Sequence, residues 1–319
     1  MEVSEFVNFR DKIVESVSSV IVGKRNVIEL VTYDLIAGGH ILFEDFPGLG
    51  KTTLAKAVAK AIGCEFRRVQ FTADLLPADV TGTFVLDGSS GFRFLKGPVF
   101  TQILLADEIN RSPPKTQSAL LEAMQEHQVT AENQTFPLPE PFIVFGTQNP
   151  IEYEGTYPLP EAQMDRFAVR LRIGYPSNDD EVTILGLRKS LGEETRSVER
   201  IFNPKDLTQL QSKLEQVFVD EDLKRYMVRI ASQTRSNPDV EVGVSPRGLI
   251  HLFRLSRAKA VCSGRSFVTP DDVKELAVPA LAHRLVLNTD VQLKGLRQEE
   301  VIEKVLADTP VPKVSEPEG

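Results

Sequence analysis

Cysteine is scarce in this 319-residue chain: only Cys64 and Cys262 occur, far apart and in no C-x-x-C spacing. Neither a disulfide framework nor a thiolate zinc site is therefore expected. No apolar run approaches the ~20 residues that a membrane helix requires. Basic charge is short too, with 37 Lys and Arg against 45 Asp and Glu and a formal net charge of −8. That balance provides no extended basic surface for nucleic acid. The opening residues Met1-Glu2-Val3-Ser4-Glu5 are acidic and lack the positive start and apolar core of a signal peptide. No internal repeat is visible. What is present is 41% hydrophobic content, enough for a substantial core and two domains. The expectation is a soluble, cytoplasmic protein without membrane insertion.

The most informative stretch is Phe43-Glu44-Asp45-Phe46-Pro47-Gly48-Leu49-Gly50-Lys51-Thr52-Thr53. Gly48 and Gly50 let the backbone curl until several N–H groups converge on one spot. Lys51 adds a positive charge there, and Thr52 offers a hydroxyl to a magnesium ion. This is the second half of the G-x-x-x-x-G-K-[ST] phosphate loop; the first glycine of that pattern falls at Asp45. The context fits as well. His40-Ile41-Leu42-Phe43 reads as a buried parallel strand, and Thr53–Ile62 as a helix that stops at Gly63. A helix beginning at the loop lends its own N–H groups and dipole to phosphates.

From about Asn26 to Pro176 short apolar runs alternate with helical segments. The predicted strands are Ile41–Phe43, Glu65–Gln70, Ile103–Ala106, Phe142–Thr147 and Val169–Ile173. This alternation predicts an α/β fold, a parallel sheet with helices on both faces. Tyr175-Pro176-Ser177-Asn178-Asp179-Asp180 reads as a linker. Beyond it the pattern is helical without strands, at Glu181–Leu191, Lys205–Glu215, Glu221–Ser236, Pro246–Ser263 and Pro270–Leu285. The expected domains are residues 1–176 and a smaller all-α unit over 177–308. A Pro- and Glu-rich tail over 309–319 is expected to be disordered.

A second strand ends in chemistry. Gln102-Ile103-Leu104-Leu105-Ala106 is followed by Asp107 and Glu108. Beside a phosphate-binding lysine, one carboxylate suits magnesium, the role expected for Asp107. The other, Glu108, suits polarising the water that attacks a γ-phosphate. A third strand runs into Thr147-Gln148-Asn149-Pro150, where the Asn149 amide either sits between nucleotide and water or forms an Asn-Pro turn. Arg166 follows Leu159–Asp165 at a helix end. It either points out to reach a nucleotide on a neighbouring subunit or forms a surface pair with Asp165.

Phosphate loop, Asp107-Glu108, Asn149, Arg166 and a later Ser245-Pro246-Arg247 occur in the order seen in AAA+ ATPases. Two longer strings, ADEINRSPPKTQSALLEAMQE over Ala106–Glu126 and TQNPIEYEGTYPLPEAQMDRF over Thr147–Phe167, resemble the MoxR family specifically. The resemblance spans roughly Val20 to Leu285. It implies a P-loop AAA+ three-layer αβα domain followed by a helical lid. It implies Lys51 as the Walker A lysine within a nucleotide-binding loop Pro47-Gly48-Leu49-Gly50-Lys51-Thr52-Thr53. Asp107 and Glu108 become the Walker B pair, with Thr52 and Asp107 at the metal. It further implies Asn149 as sensor 1, Arg166 as arginine finger and Arg247 as sensor 2, acting on its own or a neighbour's nucleotide. Val22 and Gly23 match the segment near the adenine. Also implied are an insert in the second helix at Asp74–Val99 and a hairpin before sensor 1 at Val129–Phe142.

The function so implied is hydrolysis of ATP with Mg2+ in a homo-oligomeric ring, typically a hexamer. Its work would be chaperone-like remodelling or maturation of a protein partner, typically one with a von Willebrand factor A domain and its metal-dependent adhesion site. Two rivals are a DNA-acting motor and a nucleotide-gated scaffold with little turnover. Val129–Phe142 contains no Lys or Arg and two glutamates, the wrong charge for tracking a phosphate backbone. The intact Glu108 speaks against the scaffold.

Overall fold

The short apolar runs become one parallel sheet in the computed structural model of the chain, which describes residues 2–86, 91–149, 156–191 and 198–313. Helices α1 (Val3–Ser18) and α2 (Arg25–Ala37) lead to β1 (Ile41–Glu44), α3 (Lys51–Ile62) and β2 (Phe66–Gln70). A short helix α4 (Pro77–Thr81) and the antiparallel pair β3 (Gly82–Leu86) and β4 (Phe92–Lys96) precede β5 (Ile103–Asp107). Next come α5 (Pro114–Glu126), the hairpin β6 (Gln128–Ala131) and β7 (Gln134–Pro137), β8 (Ile143–Gln148), α6 (Glu161–Met164) and β9 (Val169–Leu171). The rest is mainly helical: α7 (Asn178–Leu191), α8 (Pro204–Lys213), α9 (Glu221–Ser236), β10 (Val240–Val242), α10 (Pro246–Cys262), α11 (Pro270–Leu281), β11 (Val286–Leu287), α12 (Thr289–Leu293) and α13 (Gln298–Asp308).

The sheet order is β2-β5-β8-β1-β9, and every pairing is parallel. Both of its faces are covered, which is why these strands read as continuous apolar runs instead of alternating ones. Ile41, Phe43, Ile103, Leu105, Ile143 and Phe145 pack with α1, α2, α3 and the C-terminal helices. Their neighbours Leu42, Leu104, Ala106 and Val144 point the other way, against Leu120, Leu121 and Met124 of α5. Successive side chains of a strand face opposite sides, so one sheet serves two cores. Cys64 and Cys262 are buried and free. Among the described residues no helix is long and apolar enough to cross a membrane.

All five expected sheet strands are present within a few residues. The last, β9, ends at Leu171 instead of Ile173 because the Ile173 and Gly174 N–H groups donate to the Asp45 carboxylate instead of to a strand. The linker expected over 175–180 shortens, since α7 begins at Asn178. Ser177 Oγ donates to Asp180 Oδ2 at 2.7 Å and accepts from the Asp180 N–H at 3.2 Å, a reciprocal capping arrangement that starts the helix early. The C-terminal part carries one short antiparallel pair, Val240 opposite Leu287, in addition to its helices. Three- and two-residue strands leave no readable alternation. The disordered tail expected from Thr309 does not begin at that residue. Thr309 is buried, with its hydroxyl bonded to Val305 O and Gln233 Oε1, while 314–319 lie outside the described residues.

The region expected as a helix insert, 74–99, contains α4 and the β3–β4 pair; the expected hairpin at 129–142 contains β6 and β7. The two lie against each other through aromatics. The Phe94 and Phe136 rings stack 4.1 Å apart at 10°, and Phe84 and Phe100 flank them.

Candidate active site

Parallel pairing brings the carboxyl ends of β1, β2, β5 and β8 to one edge of the sheet, where Gln70 registers with Asp107 and Glu44 with Gln148. Open α/β sheets take ligands at that edge. A cavity of about 340 Å³ opens there, within the size range of small-ligand sites. Its walls are the loop after β1 with the first turn of α3, the paired polar residues Arg68 and Gln70, the acids Asp107 and Glu108, and Thr147 to Asn149.

The loop owes its shape to two left-handed glycines, Gly48 at φ 86° and Gly50 at φ 89°. A Cβ at Gly48 would meet nothing within 4 Å, so backbone handedness, and not crowding, calls for glycine there. Gly50 caps α3, and the first N–H groups of a helix have no partners within it. The Lys51 ammonium donates to the Asp45 and Phe46 carbonyls, each at 2.7 Å. Burial pushes its pKa below the ordinary lysine value, while Asp45, Asp107 and Glu108 pull it back up. Asp45, where the general pattern has glycine, is buried. Its Oδ2 accepts from the Ile173 N–H and, at 3.3 Å, from the Gly174 N–H. The acid thus pins the loop to the segment that follows β9.

One hydroxyl organises the acidic pair. Buried Thr147 donates to Asp107 Oδ1 at 2.6 Å and accepts from the Glu108 N–H at 2.8 Å. Asp107 Oδ2 takes two bonds from Arg68, from Nη2 at 2.6 Å and Nε at 3.0 Å. Glu108 has a left-handed backbone at φ 57°, a costly conformation for a non-glycine residue and one concentrated at functional sites. Its Oε2 accepts from Gln70 Nε2 at 2.7 Å and lies 3.3 Å from Arg111 Nε.

Of the residues singled out in the sequence, Pro47, Gly48, Gly50, Lys51, Thr52, Thr53, Asp107, Glu108 and Asn149 line this cavity together. Leu49 sits between the two glycines without lining it. Val22 and Gly23 lie in the α1–α2 connection, outside the cavity wall. Their neighbour Ile21 comes within 3.9 Å of a Cβ built on Gly50, and Gly23 packs against the Asp180 carboxylate. Arg68, Gln70 and Thr147 were not singled out. The available signal was the i, i+2 polar pair in Arg68-Val69-Gln70, which shares a strand face and ends at the cavity.

Arg166 and Arg247 form a second cluster away from that wall. Arg247 Nη2 donates to Gln125 Oε1 at 3.1 Å, and its Nη1 lies 3.8 Å from Asp165 Oδ2. The surface pair of Asp165 with Arg166 does not form. The Asp165 carboxylate accepts instead from Ser245 Oγ at 2.8 and 2.9 Å and from buried Arg284. Arg166 Nε and Nη1 are buried without a hydrogen-bond partner among the described residues. Burial, and then Arg247, push this guanidinium below its ordinary pKa, with Glu122 and Glu126 opposing.

Known proteins match this architecture in both parts. Residues 40–169 match the model for the ATPase family associated with various cellular activities (AAA), and residues 232–305 match the AAA lid domain. The Bacillus subtilis protein YeaC is 45% identical over 302 residues, 94% of each chain. Chaperone MoxR1 of Mycobacterium tuberculosis is 40% identical over 97% of this chain and 84% of that one. A crystal structure from Cytophaga hutchinsonii superposes with a TM-score of 0.89 at 37% identity, covering 97% of this chain and 98% of that chain. An AAA nucleotide module, its lid and a near-full-length relative bearing the MoxR name converge on one conclusion: this chain belongs to the MoxR family of AAA+ ATPases.

Proposed function

We propose that the cavity binds ATP with Mg2+ and hydrolyses it, in a ring of copies of this chain that remodels or matures a protein partner. One observation carries the reading: Lys51, Thr52, Asp107, Glu108 and Asn149 share a single cavity at the carboxyl edge of the sheet. The residues fit such a ligand. Gly48 leaves open space where a side chain would stand, and the first N–H groups of α3 have no partner within the helix. The Thr52 hydroxyl and Asp107 carboxylate are hard oxygen donors of the kind Mg2+ takes. When bound, the metal neutralises charge on the phosphate oxygens.

The chain's own groups then divide the work. Lys51 exchanges its two carbonyl partners for phosphate oxygens, and Glu108 accepts a proton from the attacking water while Asn149 orients it. Gln70 holds the Glu108 carboxylate in place. Arg166 and Arg247 stand near enough to repel each other and line no part of this wall, which supports a role for both at the nucleotide of a neighbouring copy. The nucleotide-binding domain then covers 1–176 and the lid 177–308, in a cytoplasmic ring that we take to be a hexamer.

The partner surface falls to the stacked hairpins. Leu86 and Phe92 stand 70% and 74% exposed at the far end of the β3–β4 pair, beyond the Phe94–Phe136 stack. The absence of Lys and Arg from 129–142 favours a protein over nucleic acid. The chaperone name of the mycobacterial relative supports the same choice, and a von Willebrand factor A domain protein is the partner proposed. A phosphate-release assay with ATP and Mg2+ tests the chemistry, with Glu108→Gln expected to bind ATP yet turn over at least ~100-fold more slowly. That trapped variant should also capture the partner from extract. Full activity in Glu108→Gln, or recovery of nucleic acid alone, would overturn the respective half.

A further inference from the structure

We propose that Arg68 is a positioning residue of this site: it holds both acidic groups in register and sets how strongly the cavity takes Mg2+. The proposal rests on the reading of the cavity as a site for Mg2+ and ATP. Arg68 stands on β2 opposite Leu105, so its side chain runs two residues along the sheet edge to reach Asp107. There it makes three bonds to two acceptors. Nη2 and Nε reach Asp107 Oδ2 at 2.6 and 3.0 Å, and Nη2 also reaches Gln70 Oε1 at 2.8 Å.

The third bond has a consequence for Glu108. A guanidinium only donates, so the Gln70 atom facing Arg68 must be the amide oxygen. The Gln70 NH2 is thereby turned outward, and it donates to Glu108 Oε2 at 2.7 Å. Arg68 therefore acts on Asp107 directly and on Glu108 through an amide that it orients. The neighbouring Arg67 takes no part, being paired with Glu65 at 2.9 Å.

Arg68 and a divalent cation would share one carboxylate. The guanidinium lies against Asp107 Oδ2, while Thr147 already occupies Oδ1. Like charges a few ångströms apart at a partly exposed site repel appreciably even after solvent screening. The Arg68 side chain is 47% exposed against 12% for Asp107, so the arginine can turn aside while the carboxylate stays. Arg68 thus lowers the affinity for Mg2+ in exchange for a fixed, pre-oriented acidic pair.

The test is binding of a fluorescent ATP analogue at a series of Mg2+ concentrations and in EDTA, without turnover. In Arg68→Gln the half-saturating Mg2+ concentration is expected to fall on the order of ten-fold. Arg68→Lys, which keeps the charge, should stay near wild type, and Arg67→Gln should change nothing. A half-saturating Mg2+ concentration that is unchanged or raised in Arg68→Gln would overturn the proposal; so would an equal shift in Arg67→Gln, which would reduce it to general surface charge. Wild-type protein whose nucleotide binding ignores Mg2+ would instead overturn the reading of the cavity itself. Half-exposure of Arg68 keeps misfolding out of the comparison, and circular dichroism verifies this.

Discussion

Consider replacing Asp45 by glycine, the residue that the general phosphate-loop pattern has at this place. The substitution would restore the pattern and remove the anchor. Asp45 is buried, and its Oδ2 accepts from the N–H groups of Ile173 and Gly174. A hydrogen bond to a charged group contributes about 1.5–3 kcal/mol, and a buried donor left unpaired costs a similar amount. The Gly174 bond is long at 3.3 Å and contributes at the low end. Glycine adds about 0.5–1 kcal/mol of backbone entropy. The expected loss is therefore roughly 3–5 kcal/mol, a large part of the 5–15 kcal/mol typical of a folded protein. In a chain of this size that corresponds to a melting temperature lower by roughly 4–8 °C. Asp45→Asn keeps one acceptor oxygen without the charge and should fall about midway. Differential scanning calorimetry reads both. An Asp45→Gly protein melting within about 2 °C of wild type would refute the anchoring role, and so would an Asn variant as damaged as the Gly variant.

Arg166→Ala should bind ATP normally but hydrolyse it on the order of 10³-fold more slowly, measured by phosphate release. Mixing it with Lys51→Ala should recover part of the activity, because some interfaces then join an intact Lys51 to an intact Arg166; no recovery in verified mixed rings would count against action across the interface. Asp34, on α2, is buried with neither carboxylate oxygen hydrogen-bonded to a described residue, and burial raises its pKa to about 8 against the opposing pull of Arg254. The native state thus holds a proton that the unfolded chain releases near pH 4, so wild type should lose stability as pH rises toward 8, by up to about 1.4 kcal/mol per unit. Asp34→Asn should remove that slope, matching wild type below pH 4 and exceeding it at pH 8; parallel denaturation curves across this range would refute it.

The sheet was legible because its strands are covered on both faces. Ile41–Phe43 and Ile103–Ala106 carry no polar residue, and a covered parallel strand has no solvent side to interrupt the run. The loop glycines, Lys51, Asp107 and Glu108 were legible for a related reason. Asp107 and Glu108 directly follow such a run, and the glycines and Lys51 lie within eight residues of one, where parallel pairing must bring strand ends together. The β10–β11 pair was not, since two or three residues show no period. Nor was the early start of α7, which depends on a reciprocal bond between Ser177 and Asp180.

Local pattern alone determined the five strands of the parallel sheet, their order along the chain and the chemical types collected at one edge, because period and breaker residues act within a few positions of the chain. The partner of each polar group was decided only by the tertiary structure. Asp45 finds the N–H groups of Ile173 and Gly174, Asp107 finds Arg68 and Thr147, and Asp165 binds Ser245 and Arg284 instead of its neighbour Arg166. A hydrogen bond requires approach to about 3 Å with donor and acceptor aligned, and no spacing within a strand or helix specifies which distant segment the packed register brings that close.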